Sequence, residues 1–235
     1  MTPVSGTPST RADAVFDVLR HDILRGRFEP GQKLRLTELQ SRYDVSSGVL
    51  REVLPRLAEQ GLATSTAQQG YRVVTVSEAD LRDLTDARVA LEPLVARMAA
   101  ERGDVEYEGA VLAAHHALAR TPLTAEDGDV SEDWVVRHEA FHGAVLQGCG
   151  NGYLLGAAER LRRISAVYRY WSAGETERVH RDLAAEHKAI CDAVVARDGE
   201  AVAALLAEHI ELTTRLLLQG VRRNAAVKAE QLAAG

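Results

Sequence analysis

Residues 45–62 read VSSGVLREVLPRLAEQGL. A serine at 46 or 47 can cap a helix start through its hydroxyl. Val49, Leu50, Val53, Leu54 and Leu57 then recur at helical spacing, and Gly61 supplies the stop. Arg51 and Arg56 fall off that apolar stripe. Just upstream, Thr37-Glu38-Leu39-Gln40 fits a capping box that would open a short helix to about Tyr43. Two short helices joined by a tight turn, the second carrying exposed arginine, are how a helix-turn-helix presents a recognition helix to a DNA groove. Pro55 sits inside the second helix, where it deletes a hydrogen bond and crowds the carbonyl of Arg51; a kink is expected there, with the first two turns intact.

On the N-terminal side, residues 1–10 are polar and contain Pro3, Gly6 and Pro8, the composition of a disordered tail. Val15, Val18, Leu19, Ile23 and Leu24 share one face of a helix over 11–25, which Gly26 and Pro30-Gly31 terminate. On the C-terminal side, residues 63–66 and 71–75 are β-prone and flank Gln68-Gln69-Gly70, the pattern of a hairpin wing. Ser77 caps a new helix, and the remainder reads as helical: near 78–102, 105–119, 130–148, 152–172, 176–197 and 199–220, with a tail helix to 232. Asn151, between two glycines, is placed to cap the fourth of these. The expected architecture is mostly α. A winged helix-turn-helix with a small β-hairpin spans 11–76, and an all-α bundle spans 78–232.

The 235-residue chain has a net charge of −6, which looks unsuited to DNA until it is divided. Residues 1–77 hold 10 Lys/Arg against 8 Asp/Glu, or +2; the rest holds 18 against 26, or −8. The acidic excess therefore lies outside the DNA-binding segment, where affinity must rest on a few well-placed arginines and on a second copy. No run of eighteen apolar residues spans a membrane, and the N-terminus lacks an apolar secretory core, so a cytoplasmic protein is expected. Cys149 and Cys191 form no CxxC pair and read as inert thiols of a reducing compartment. No Ser or Cys nucleophile with a nearby base is recognisable, and no Gly-rich loop could cradle phosphate.

LRHDILRGRFEPGQKLRLTEL, VSSGVLREVLPRLAEQGLA and QQGYRV together resemble the DNA-binding domain of the GntR family of bacterial transcription regulators. DLRDLTDARVALEPLVARMAA, HEAFHGAVLQGCGN and EHKAICDAVVARDGEAV with the AEH that follows resemble the helical (FCD-type) effector domain of its FadR-like subgroup. The two matches span nearly the whole chain. The resemblance implies a homodimer reading a palindromic double-stranded operator. Arg51 would be the recognition-helix arginine and Ser46 would contact phosphate. Arg35 and Ser47 would lie near backbone or bases, with Gln69 and Gly70 of the wing in the minor groove. Two positions depart from the family: Ser47 and Gln69 stand where arginine is common, which alters the contacts available to phosphate and base edges.

His138 and His142 lie i, i+4 on one helix and share a face. The resemblance extends this pair to a metal set with His187 and His209, binding a divalent ion, zinc first, with nickel or copper also suited to imidazoles. The first ligand of the family is usually Asp; here it is His138, so the site is one charge more positive, favouring an anionic, small carboxylate effector. His180, two turns before His187, is a reserve ligand. Arg88 and Glu92 form an i, i+4 pair, read either as an intrahelical ion pair or as an arginine gripping the effector; Arg162, Arg163 and Arg169 share one further helix, with Arg163 taken as the effector contact. Two rival readings stand beside this one. HEAFH also fits the H-E-x-x-H zinc-hydrolase pattern with Glu139 as general base, and a metal-free regulator could bind a larger apolar effector.

Overall fold

The computed structural model describes residues 10–66, 69–75, 77–125, 130–171 and 181–233. The chain divides into two compact units between residues 76 and 77.

In the first unit, α1 (Arg11–Leu24) opens on Thr10, whose hydroxyl accepts from Asp13 N while the Asp13 carboxylate accepts from Thr10 N. Thr10 thus belongs to the folded unit rather than to a tail; the rest of the expected tail lies outside the described residues. Leu19 and Ile23 of α1 and Leu50, Val53 and Leu57 of α3 (Ser47–Glu59) are fully buried, and the two helices pack together. Arg56 fastens the same pair, donating to Asp13 at 2.9 Å and lying 4.4 Å over the ring of Phe16. α3 ends where Gly61 takes φ +74°, a left-handed turn that glycine adopts without steric cost. The helix runs unbroken through Pro55, which is exposed.

One expectation is corrected here and another is extended. α2 (Leu36–Tyr43) starts at Leu36 with Arg35 as N-cap and no side-chain cap bond, so Thr37 opens no capping box. The cause is a strand the sequence did not announce. β1 (Lys33–Leu34) pairs with β3 (Gly70–Val73), Leu34 opposite Tyr71, and holds the chain extended up to the helix. Glu38 instead accepts from the Arg35 guanidinium at 2.9 Å. β2 (Ala63–Thr66) and β3 form the expected hairpin wing, and β1 extends it to a three-stranded antiparallel sheet of order β1-β3-β2.

The second unit contains α4 (Glu78–Arg102), α5 (Val105–Ala119), α6 (Glu132–Gln147), α7 (Gly152–Trp171), α8 (Leu183–Val195) and α9 (Gly199–Ala233). Ser77 accepts from Asp80 N and Asn151 accepts from Tyr153 N and Leu154 N, so both cap as their sequence positions suggest. α8 starts later than the expected 176, because Asp182 caps it by accepting from Ala185 N at 2.9 Å. Residues 172–180, with the expected break at Gly174 and the reserve ligand His180, lie outside the described residues. α9 does not stop at 220: one interior glycine costs a helix only about 1 kcal/mol, and it continues to Ala233. Among the described residues no helix is long and apolar enough to cross a membrane.

Buried Ala96, Ala99 and Ala100 let neighbours approach α4 closely, around Val111, Phe141, Val145, Ile190 and Leu206. Side-chain ties define the two ends of this bundle. At one end Arg102 donates to the carbonyl of Cys149 and Arg97 to Glu200, joining the end of α4 to the α6–α7 turn and the start of α9. At the other, Tyr168 of α7 donates to Asp80 in the first turn of α4, and Arg181, just before α8, donates to Thr213 of α9.

Candidate functional site

In the first unit, the residues expected to face DNA lie at the start of α3 and at the tip of the wing. Ser46 is the N-cap of α3 and accepts from Val49 N, Ser47 is the first helical residue, and Arg51 one turn on is exposed and without an ion pair among the described residues. A guanidinium presented this way keeps its whole donor fork for a phosphate or a guanine edge. Gln69 and Gly70 are exposed at the tip between β2 and β3, Gly70 at φ +81°. Arg35 is exposed too, but its charge is shared with Glu38.

In the second unit, four helical histidines meet. His138 and His142 project from α6, His187 from α8 and His209 from α9; all four are buried, with candidate ligand atoms within 4.8 Å of one another. The Nε2 atoms of His142 and His187 face each other at 3.3 Å. Nitrogens bound to one ion at about 2.0–2.1 Å stand at comparable separations. Trp134, one turn before His138, stacks on it at 4.7 Å between ring centroids.

The outer ring nitrogens are tied unequally. His209 Nδ1 lies 2.8 Å from Glu186 Oε2, the carboxylate–histidine arrangement that fixes the tautomer of a metal-bound imidazole and leaves Nε2 to the ion. Glu186 is itself gripped by Arg181 at 2.6 and 2.7 Å. Burial would raise the Glu186 carboxyl, but bonds from Arg181 and His209 outweigh it and hold it at about 2. His142 Nδ1 is buried and has no hydrogen-bond partner among the described residues, a loss of about 1–3 kcal/mol unless something outside the protein occupies the site.

Burial, first, and then the neighbouring imidazoles and arginines push His142 and His187 far below the ordinary imidazole value; burial also lowers His209, against the pull of Glu186. Three of the rings are therefore neutral near pH 7, the form that ligates metal. Four converging buried imidazoles, three of them neutral, fit a divalent ion.

Around this cluster runs a buried chain of opposite charges. Arg88 donates to both oxygens of Glu92 at 2.6 and 3.2 Å, Glu92 lies 3.7 Å from Arg162, and Arg162 donates to Glu139 at 3.0 Å. Arg88 is thus an intrahelical ion pair, and it also lines the cavity. Arg163 does not: it is exposed and 3.8 Å from Glu159, and Arg162 takes the inward position. The reason is helical phase. Ala158, Arg162 and Ser165 fall at i, i+4, i+7 on the buried face of α7, and Arg163 lies a further 100° round. Glu139, the base of the hydrolase reading, accepts from Arg162 at 3.0 Å.

A cavity of about 90 Å³ opens beside the histidines, lined among others by Arg88, Trp134, His138, His142, Arg162 and His209. Arg181 and Glu186 escaped the sequence reading. Glu186 precedes His187 in the chain but serves His209, a pairing that only the packing of α8 on α9 creates.

Comparisons with known proteins agree with this geometry. Residues 11–73 match the family described as bacterial regulatory proteins, gntR family, and residues 83–212 match the FCD domain. The HTH-type transcriptional repressor GlaR of Escherichia coli (strain K12) is 37% identical over 209 residues, covering 88% of this chain and 95% of that protein. The uncharacterized HTH-type transcriptional regulator BphR of Paraburkholderia xenovorans (strain LB400) is 33% identical, covering 88% and 85%. The structure of E. coli McbR/YncC superposes with a TM-score of 0.68 at 20% identity over 89% of this chain and 98% of that one, a likeness of fold.

Proposed function

The chain belongs to the gntR family of bacterial regulatory proteins and carries an FCD domain, and on that premise we propose that it is a cytoplasmic, homodimeric repressor whose operator affinity is set by a small carboxylate at a metal-bearing histidine centre. The observation that carries this reading is the convergence of four buried imidazoles on one point beside a cavity walled by arginine.

His138, His142, His187 and His209 hold the divalent ion, with zinc the first choice and nickel or copper compatible with the same donors. A bound ion would supply a Lewis-acidic charge for an anion to satisfy. The chain's own residues orient that anion: Arg88, fixed by Glu92, and Arg162, fixed by Glu139, offer their remaining N–H groups to a carboxylate oxygen. His138 in place of the family's acidic ligand withholds one negative charge, which strengthens the demand for an anion. In the first unit, Arg51 reads or grips the operator, Ser46, Ser47 and Arg35 lie along its backbone, and Gln69 and Gly70 enter the minor groove. Two such modules would read a palindrome.

Metal analysis of the purified protein with a footprint of the DNA flanking its own gene tests the reading. One divalent ion per chain and a symmetric protected site lost in Arg51→Ala are expected. A protein without metal affinity, or a footprint indifferent to Arg51→Ala, would contradict it.

A further inference from the structure

The three-stranded sheet of the first unit has two unlike faces. Leu34, Ala63 and Val73 turn inward and are buried. The opposite face carries Lys33, Arg72 and Thr64, one from each strand. They stand abreast, because Arg72 pairs with Lys33 of β1 on one side and with Thr64 of β2 on the other. All three are exposed. At the usual spacing between strands the row is about 10 Å long.

Like charges directly opposite one another on neighbouring strands weaken the sheet that contains them. Its own strands hold no carboxylate to relieve them, and no Asp or Glu occurs anywhere from Gly61 to Ser77. Neither Lys33 nor Arg72 has an ion pair among the described residues. Arg72 donates one N–H to the carbonyl of Gly31 at 3.1 Å, a neutral acceptor that steadies the guanidinium without cancelling its charge. Arg35, two residues beyond Lys33, differs in sharing its charge with Glu38.

The row also stands at a set distance from the tip of the wing. Thr66 pairs with Gly70 beside the tip, and Thr64 and Arg72 lie two residues behind them, about 7 Å at the rise of a strand. A B-form minor groove is roughly 7.5 Å deep. With Gln69 and Gly70 in the groove, Arg72 and Thr64 reach its rim, where the phosphates run, and Lys33 lies one strand spacing further along. From this match of depth and charge we infer that Lys33, Arg72 and Thr64 form a phosphate clamp on the DNA strand bordering the minor groove. Two cations and a hydroxyl grip the backbone without reading bases, and the phosphates replace a repulsion that the free sheet has to bear. The inference rests on the placing of the wing in the minor groove and adds the residues that hold it there.

Fluorescence anisotropy of the full-length protein tests it, run across a salt series on the DNA flanking its own gene and on a random duplex. In the double variant Lys33→Gln, Arg72→Gln the slope of log affinity against log salt should shrink by about 2, one for each lost phosphate contact. The ratio of affinities for the two duplexes should stay within about twofold of wild type, unlike that of Arg51→Ala. Thermal melting should be unchanged or higher, since a repulsion has been removed, and this separates a DNA contact from a structural role. An unchanged slope, an altered ratio or a lowered melting temperature overturns the inference while the regulator reading stands. If the wild-type protein does not distinguish the two duplexes, the operator reading fails and takes the inference with it.

Discussion

Glu186 does not line the cavity, yet in the proposed metal centre it sets the donor strength of His209. Its carboxylate lies on the outer nitrogen of His209 and is held there by Arg181. Glu186→Gln keeps the volume but loses the charge that makes the imidazole a better donor, so zinc should bind about 10–100-fold more weakly in a competition titration against a chelator. Unchanged affinity would remove His209 from the ligand set. The buried rings also set a pH dependence. The folded pKa values of His142 and His187 lie below the ordinary 6.5, so the unfolded chain takes up protons that the folded, metal-free protein refuses. Stability is then complete above about pH 6.5 and lost as the pH falls below it. Thermal melts of stripped protein should hold level from pH 7 to 9 and drop toward pH 5; a flat profile across that range would contradict the burial of these rings. At this scale the sequence was half legible. The i, i+4 spacing put His138 and His142 on one face, but Arg162 and Arg163 are neighbours in the chain, and only the phase of α7 against the core decides between them.

Elements were more legible than residues wherever a periodic apolar stripe was long. α1, α3, α4 and α5 fall within a residue or two of their expected bounds, since each buries one face and carries its own cap. β1 escaped because two residues have no period; its existence depends on β3, some forty residues later. Pro55 is the local conflict in α3. It is exposed, so Pro55→Ala removes no core contact and restores a backbone donor to the helix. The gain should be about 2 kcal/mol for the first unit, from the roughly 3 kcal/mol cost of an interior proline less the roughly 1 kcal/mol by which proline restrains the unfolded chain. A denaturant midpoint that falls instead would mean Pro55 has a structural role the helix conceals. α7 carries Arg162 at the cavity and Tyr168 against Asp80, in the first turn of the helix that continues from the DNA-binding unit. Tyr168→Phe should leave the affinity for a small carboxylate such as acetate within about twofold and shrink the acid-induced change in DNA affinity, whose usual size is 5–150-fold. An undiminished change would show that the signal leaves the cavity by another helix.

Across the whole molecule, charge and chemistry are segregated. The N-terminal 77 residues carry +2 and the remainder −8, so the effector unit repels the polyanion that the first unit grips, and binding must come from a few exposed cations acting together. Arg51→Ala should therefore lower the slope of log affinity against log salt by about 1 and relax sequence preference. The two-unit plan and the boundary near residue 76 were readable from the shift of β-prone to helical pattern, whereas the cavity was not, because it is assembled from five helices that no local spacing relates. The central claim is that metal and acid together control DNA binding. Its most direct test is fluorescence anisotropy of the full-length protein on the DNA flanking its own gene, with zinc or with a chelator, each with and without a small carboxylate such as acetate. The account predicts an affinity change of at least fivefold on adding the carboxylate to the zinc-loaded protein and no change in the chelated one. An equal response in both, or none in either, would contradict it.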